Sequence, residues 1–273
     1  MTSTALHGNN THDSLMLILI AESKAMNCAM LREIDPSEQS VRLPVFLHQA
    51  AEIMASLAGM SVADIALRLG IGPKSAKAMA DYIYDFTNTA TGIEAVEAFT
   101  GVVFKHFDVR SLDGDTLTAM RSRLRIISSL YGWLRPDDII KPYRLDFTSK
   151  AAPGGKPMYG YWRKDVTAAL VDEIKAAGVG EVVNLLPMDA SKCIDWKSVK
   201  DSAKVIVPSF KIQQGEALAT PNATLLKALR GSLLRHIICD RITDGDALRG
   251  IDAPDMVCLR DDPAPGHPLF VTA

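Results

Sequence analysis

The first clear pattern along the chain is an uninterrupted apolar run, Leu15–Ala21 (LMLILIA), which has strand length and no polar alternation, as in a strand buried on both faces. Glu22, Ser23 and Lys24 follow at its end. From Pro44 the apolar spacing turns helical to about residue 58, with Gly59 as its left-handed stop. Ser61 with Asp64 three residues on then predicts a capped short helix to Leu69, and Gly70-Ile71-Gly72 and Pro73 lead into a second helix through about Tyr84. Residues 99–109 carry a short β-branched and aromatic run, and Asp113-Gly114-Asp115 reads as a turn. Residues 121–147 (RSRLRIISSLYGWLRPDDIIKPYRLDF) form the densest stretch. There Leu124, Ile127, Tyr131 and Leu134 fall at steps of three and four, which predicts a helix, with Arg121 and Arg125 on another face. Pro136 ends it at Arg135, and Pro142 makes a second turn that fixes Arg144 in a rigid bend.

Further on, a Pro153-to-Pro157 loop opens into a helix to about residue 177, headed by Tyr159, Tyr161 and Trp162, rings suited to packing against the 121–147 stretch or to stacking on bases. Buried strands are expected at 181–186, with Asn184 near the end, and at 203–207. Thr220 and Pro221 read as N-cap and first turn of a long helix to about Ile242, interrupted in propensity by Gly231. On it Leu226, Leu229, Leu233 and Ile237 share one arc, and Lys227, Arg230 and Arg241 share the next. Residues 256–259 and 269–271 are expected as closing strands.

These elements imply a mixed α/β fold, a central mixed sheet flanked by helices, in one domain over 15–273. The polar first fourteen residues are expected to be a disordered extension. The chain is 273 residues long and 48% hydrophobic, enough for a large core. Its net charge of −2 and pI near 6.3 exclude a wholesale nucleic-acid coat, so any polyanion site must be local. Four scattered cysteines without a C-x-x-C pair, and six histidines without i, i+4 pairing, signal neither a disulfide framework nor a zinc site. A reduced, cytoplasmic protein without a membrane segment, metal or cofactor is the expectation.

Two stretches carry chemistry. In the Gly70-Ile71-Gly72 turn, Gly70 can take positive φ, Ile71 can plug the space between two helices, and Gly72 lets a phosphate approach the amides of the second helix beside Lys74, the arrangement of a helix-hairpin-helix over about 61–86. An ordinary helix-loop-helix uses the same residues as caps. Lys24 at a strand end, in turn, sits where helix-covered sheets gather ligands.

LYGWLRPDDIIKPYRLDF closely follows the pattern LYGxLRPxDxIxPYRLEM of the YaaA family of bacterial peroxide-stress proteins, and from Met16 onward the chain resembles that family. Lys24, Ile71, Lys74, Ala76, Trp162, Asn184, Leu185, Lys227, Arg230, Gly231 and Arg235 agree as well. The resemblance implies a mixed α/β fold without a familiar superfold, a helix-hairpin-helix, non-specific binding of double-stranded DNA, and protection from hydrogen peroxide by limiting free iron and the damage it drives. Where the family has Ser-Pro-Ala-Lys this chain has Ala21-Glu22-Ser23-Lys24, and Asn-Leu-Ala-Ser followed by Glu-Tyr becomes Asn184-Leu185-Leu186-Pro187 followed by Asp189-Ala190.

Two functions follow. In one, Gly70, Gly72 and Lys74 hold DNA phosphates while Arg135, Arg144, Asn184, Lys227, Arg230 and Arg235 line a basic cleft. In the other, an enzyme acts on a small anionic or heterocyclic molecule, with Lys24, Arg144, Asp146 and Lys227 as catalytic candidates and Asp146 or Asp189 as acid or base. A structural protein whose cations merely satisfy carboxylates is the third reading.

Overall fold

The structure is a computed structural model that describes residues 15–34, 41–88, 90–259 and 266–272. The extension expected over 1–14 lies outside the described residues. Leu15–Ala21 is the middle strand of a five-stranded sheet. On one side it pairs in parallel with Leu124–Ser128, which carries the antiparallel strand Gly132–Leu134 at the edge; on the other it pairs in parallel with Val179–Asn184 and, beyond that, Lys204–Ile206. Both faces are covered, and residues 16–20 are at most 1% exposed. Burying each such aliphatic side chain stabilises the fold by about 1.5–3 kcal/mol, so this strand is the spine of the core.

The helix predicted from Arg121 to Arg135 stops at Arg123. A helix runs only over Gly114–Arg123, capped by Asp113, and the chain then enters the strand Leu124–Ser128 and turns into Gly132–Leu134. Steps of three and four among Leu124, Ile127, Tyr131 and Leu134 mimicked one helical face, but all five residues from Leu124 to Ser128 are buried, a period that a one-faced helix does not give. Arg125 disguised the run. It is buried in the strand and ion-paired with Glu173 of the helix Met158–Ala177, and it also donates to the carbonyls of Arg121 and Leu124 at 3.0 and 2.6 Å. Arg135 therefore follows a strand rather than ending a helix. Gly132 makes the turn at φ +67°, and a Cβ there would lie 2.7 Å from the Trp162 ring, whose Nε1 donates to the Ser129 carbonyl at 2.8 Å.

Crossing from one side of the middle strand to the other, the chain leaves a gap at the carboxyl ends of the parallel strands, the topological switch point of an open α/β sheet. Over this end lies the helix Ala223–Cys239 against the helix Val102–Phe107. The β-branched and aromatic run noted within 99–109 forms this second helix. A Cβ on Gly231 would strike the Val103 carbonyl oxygen and come within 2.7 Å of His106 Cβ, so this glycine permits the close crossing. Asn222, not Thr220, caps the long helix by accepting from the Thr224 and Leu225 amides, so Pro221 precedes the cap instead of opening the first turn.

A second five-stranded sheet holds Ala217–Ala219, Ser209–Gln214, Leu269–Thr272, Met256–Leu259 and Asp252–Ala253 in that order, and a small third one joins Arg32–Glu33, Thr91–Glu94 and Ile139–Ile140. Among the described residues no helix is long and apolar enough to cross a membrane.

Candidate ligand cleft

The middle strand delivers its last residues into a cleft of about 520 Å³ at the carboxyl edge of the sheet. The Glu22 amide still donates to the Ile127 carbonyl at 2.9 Å, so the ladder holds this residue at the edge of the 124–134 hairpin with its carboxylate turned inward. Glu22 Oε2 accepts from the Ser129 amide at 2.8 Å and from the Tyr143 hydroxyl. Tyr143 in turn lies 2.7 Å from Ser128 Oγ, which accepts from the Leu130 and Tyr131 amides at 3.2 and 3.0 Å. With Tyr143 donating to the carboxylate, Ser128 must donate to Tyr143, which makes a connected relay ending at Glu22. Burial pushes the Glu22 carboxyl up to about 7 against the pull of Ser129, Tyr143 and Ser128. Burial, with the Glu22 charge adding to it, also drives the nearby Cys193 thiol up to about 12, so it stays protonated and unreactive.

Five predicted residues, Lys24, Asp146, Asp189, Lys227 and Arg230, line the cleft. Lys24 donates to Asp146 Oδ2 at 2.8 Å, while Asp146 Oδ1 accepts from the amides of Thr148 and Ser149 and from their hydroxyls, folding the loop around itself. Burial works against ionisation of Asp146, but Lys24 and Thr148 outweigh it and hold the carboxyl at about 2. Asp146 is thus an ionised anchor for Lys24 and a poor acid at neutral pH. Lys227 and Arg230, one turn apart on the long helix, line the far wall. Neither has a hydrogen-bonding or ionic partner among the described residues. Burial lowers the Arg230 pKa, as a partly desolvated cation requires. Asp189 also lines the cleft and is held by Lys192 at 2.8 Å. The remaining lining is mostly apolar, with the rings of Phe104 and Phe147 among it.

The other predicted residues fall elsewhere. Arg144 donates to the Lys24 carbonyl and so braces the rim without lining the cleft. Asn184 accepts from the Leu186 amide at 3.0 Å and shapes the strand exit. Arg135 stays at its own turn, where its amide donates to Asp138 at 2.8 Å, and Arg235 caps the helix Val102–Phe107 through the Phe107 and Asp108 carbonyls at 2.9 and 3.2 Å. The basic cleft expected from five arginines and lysines of separate segments is a mixed one, in which Glu22, Asp146 and Asp189 stand among Lys24, Lys227 and Arg230. Glu22 was missed because a glutamate after a strand reads as solvated. The local sequence carried no signal of its burial, which depends on the distant Ser129 and Tyr143.

Outside the cleft, the turn 70–72 joins Val62–Leu69 to Pro73–Asp85. Ser61 accepts from the Asp64 amide at 3.1 Å, and Gly70 ends the first helix at φ +64°. Gly72 sits at the N-cap of the second helix with no side-chain cap, and Gly72, Pro73, Lys74 and Lys77 are exposed. At the other end of that helix, Asp85 is engaged by buried Lys141 at 2.9 Å. Among the described residues no three His, Cys, Asp or Glu side chains gather as a metal ligand set would.

A family profile described as peroxide stress protein YaaA matches residues 16–257. A UPF0246 protein of Ruegeria sp. is 32% identical over 94% of this chain and 99% of its own length, and one from Ralstonia nicotianae is 32% identical over 87% and 91%. Another, from Parabacteroides distasonis, is 30% identical over 86% of this chain and 91% of its own. The chain belongs to the YaaA family of peroxide stress proteins.

Proposed function

We propose that this protein serves the response to hydrogen peroxide in the cytoplasm by gripping double-stranded DNA without sequence preference through the helix pair around Gly70–Gly72, and that it thereby limits iron-driven damage. One observation supports this above the rest: the helix Pro73–Asp85 begins without a side-chain cap, on exposed Gly72, with Lys74 and Lys77 beside it. The first amides of a helix have no partner within it, and the helix dipole favours an anion there, so a phosphate finds donors, field and cations at one place. Such contacts touch backbone and read no bases. Of the two aspartates on this helix, Asp81 and Asp85, the latter is engaged by Lys141 and sits about 18 Å along the helix from Pro73.

The test is duplex binding by fluorescence anisotropy in low salt. Lys74→Glu replaces attraction by repulsion at the contact and is expected to weaken binding of any duplex by about tenfold or more, equally across sequences. Unchanged affinity would remove the hairpin as the contact.

A further inference from the structure

We infer that the cleft at the strand ends is a binding site for a small molecule of nucleotide chemistry, with its anionic group on Lys227 and Arg230, its flat heterocycle against Phe104 and Phe147, and a ring nitrogen facing the Glu22 carboxyl. This goes beyond the duplex grip and uses a different surface, since none of Gly70, Gly72 and Lys74 lines the cleft.

Size and lining come first. At about 520 Å³ the cleft falls within the roughly 300–1,000 Å³ of small-molecule sites, and its mostly apolar wall with a few convergent polar groups is their usual composition. It opens at the carboxyl ends of the middle strand and of its parallel neighbour Val179–Asn184, where open α/β sheets take their ligands. The two cations come next. Lys24 has a carboxylate, whereas Lys227 and Arg230 line the same cleft without one among the described residues. A half-buried guanidinium loses solvation, and an anion in the cleft restores what it lost. Lys227 and Arg230 are thus arranged for a ligand rather than for the fold. Third, Glu22 lies at the end of a relay from Ser128 through Tyr143, the kind of connected support that fixes a polar group for recognition.

The charge logic predicts a pH dependence. Tyr143 and Cys193 are the titratable groups beside Glu22, and Lys24, Asp146, Asp189, Lys227 and Arg230 share the cleft. Tyr143 is pushed well above its usual range and Cys193 up to about 12, while Asp146 is held at about 2, so none of these three changes charge between pH 6 and 8. Glu22 does. Below about 7 it is neutral and leaves the cations undiminished; above, its carboxylate opposes the ligand's negative charge.

Calorimetric titration of the full chain with adenosine monophosphate, and separately with inorganic phosphate, tests the assignment. Adenosine monophosphate is expected to bind, and phosphate alone at least about tenfold more weakly, for want of the heterocycle contacts. Arg230→Gln is expected to lose about tenfold or more in affinity, and Lys227→Gln, on the more accessible turn, to repeat the loss should the first variant fold poorly. Glu22→Gln should bind with a flatter profile between pH 6 and 8 than the wild type; the phosphate's own ionisation near about 6 is common to both proteins and cancels in that comparison. No heat from adenosine monophosphate at millimolar concentration, equal affinity for bare phosphate, or folded Arg230→Gln and Lys227→Gln proteins that bind as the wild type does would each overturn the proposal.

Discussion

Glu22 shows what a single side chain costs and offers. Its folded pKa near 7 stands above the model-peptide value of 4.5, so the native state holds a proton that the unfolded chain releases. The sign follows: this group's contribution is most favourable below about pH 4.5 and is lost as pH rises towards 7, a change of about 3 kcal/mol at most. Glu22→Gln keeps an oxygen to accept from Tyr143 and removes the ionisation. Urea unfolding of both proteins at pH 5 and pH 8 should show the variant gaining on the wild type at the higher pH; a gap that does not move would mean that the carboxyl is not desolvated. Nothing in the local sequence pattern announces this, because burial of Glu22 depends on residues more than a hundred positions away, Ser129 and Tyr143, that approach only when the strands pair. Lys24 and Asp146, by contrast, are partners that the sequence places at a strand end and a proline bend, and the fold joins them.

At the scale of elements, continuous apolar runs were legible and mixed ones were not. Leu15–Ala21 carries no polar residue and admits one reading, whereas Leu124–Ser128 contains Arg125, whose partner Glu173 lies on a helix that begins 30 residues after the strand ends. A buried ion pair made at such distance cannot be seen from spacing, so the arginine looked like the polar side of a helix. The helices around Gly70 were legible because their signals are local: a serine cap, a left-handed glycine and a proline at the first turn. Gly231 is an instructive middle case, since it reads as a flaw in the helix Ala223–Cys239 and is required by the crossing. In an exposed helix Gly→Ala gains about 1 kcal/mol. Here the added Cβ would meet the Val103 carbonyl, which is backbone and cannot swing aside, and overpacking of this kind costs about 1–3 kcal/mol. Gly231→Ala should therefore lower the melting temperature rather than raise it, and because Lys227 and Arg230 ride on the same helix, it should also disturb the far wall of the cleft.

For the molecule as a whole, the charge balance limits how DNA can be held. With a net charge of −2 and a pI near 6.3 the molecule as a whole does not attract a duplex at neutral pH, so the proposed grip draws on the local cations at the 70–72 turn. Counterion release turns this into a number. The logarithm of the binding constant falls with the logarithm of salt concentration with a slope of about −0.9 per phosphate neutralised. Lys74 and Lys77 supply two such contacts, whereas the uncapped amides of the helix orient a phosphate without displacing a counterion in full. A slope of about −2 between 50 and 200 mM salt is then expected, and removal of either lysine should make it shallower by about 0.9. A protein that coats DNA through 6–10 phosphate contacts loses about 10³–10⁵ in affinity over the same range. Anisotropy titrations of a labelled duplex at several salt concentrations separate the cases: a slope near −2 that responds to Lys74 and Lys77 fits a local grip, while a slope of about −6 or steeper would require a basic surface that the composition of this chain does not provide.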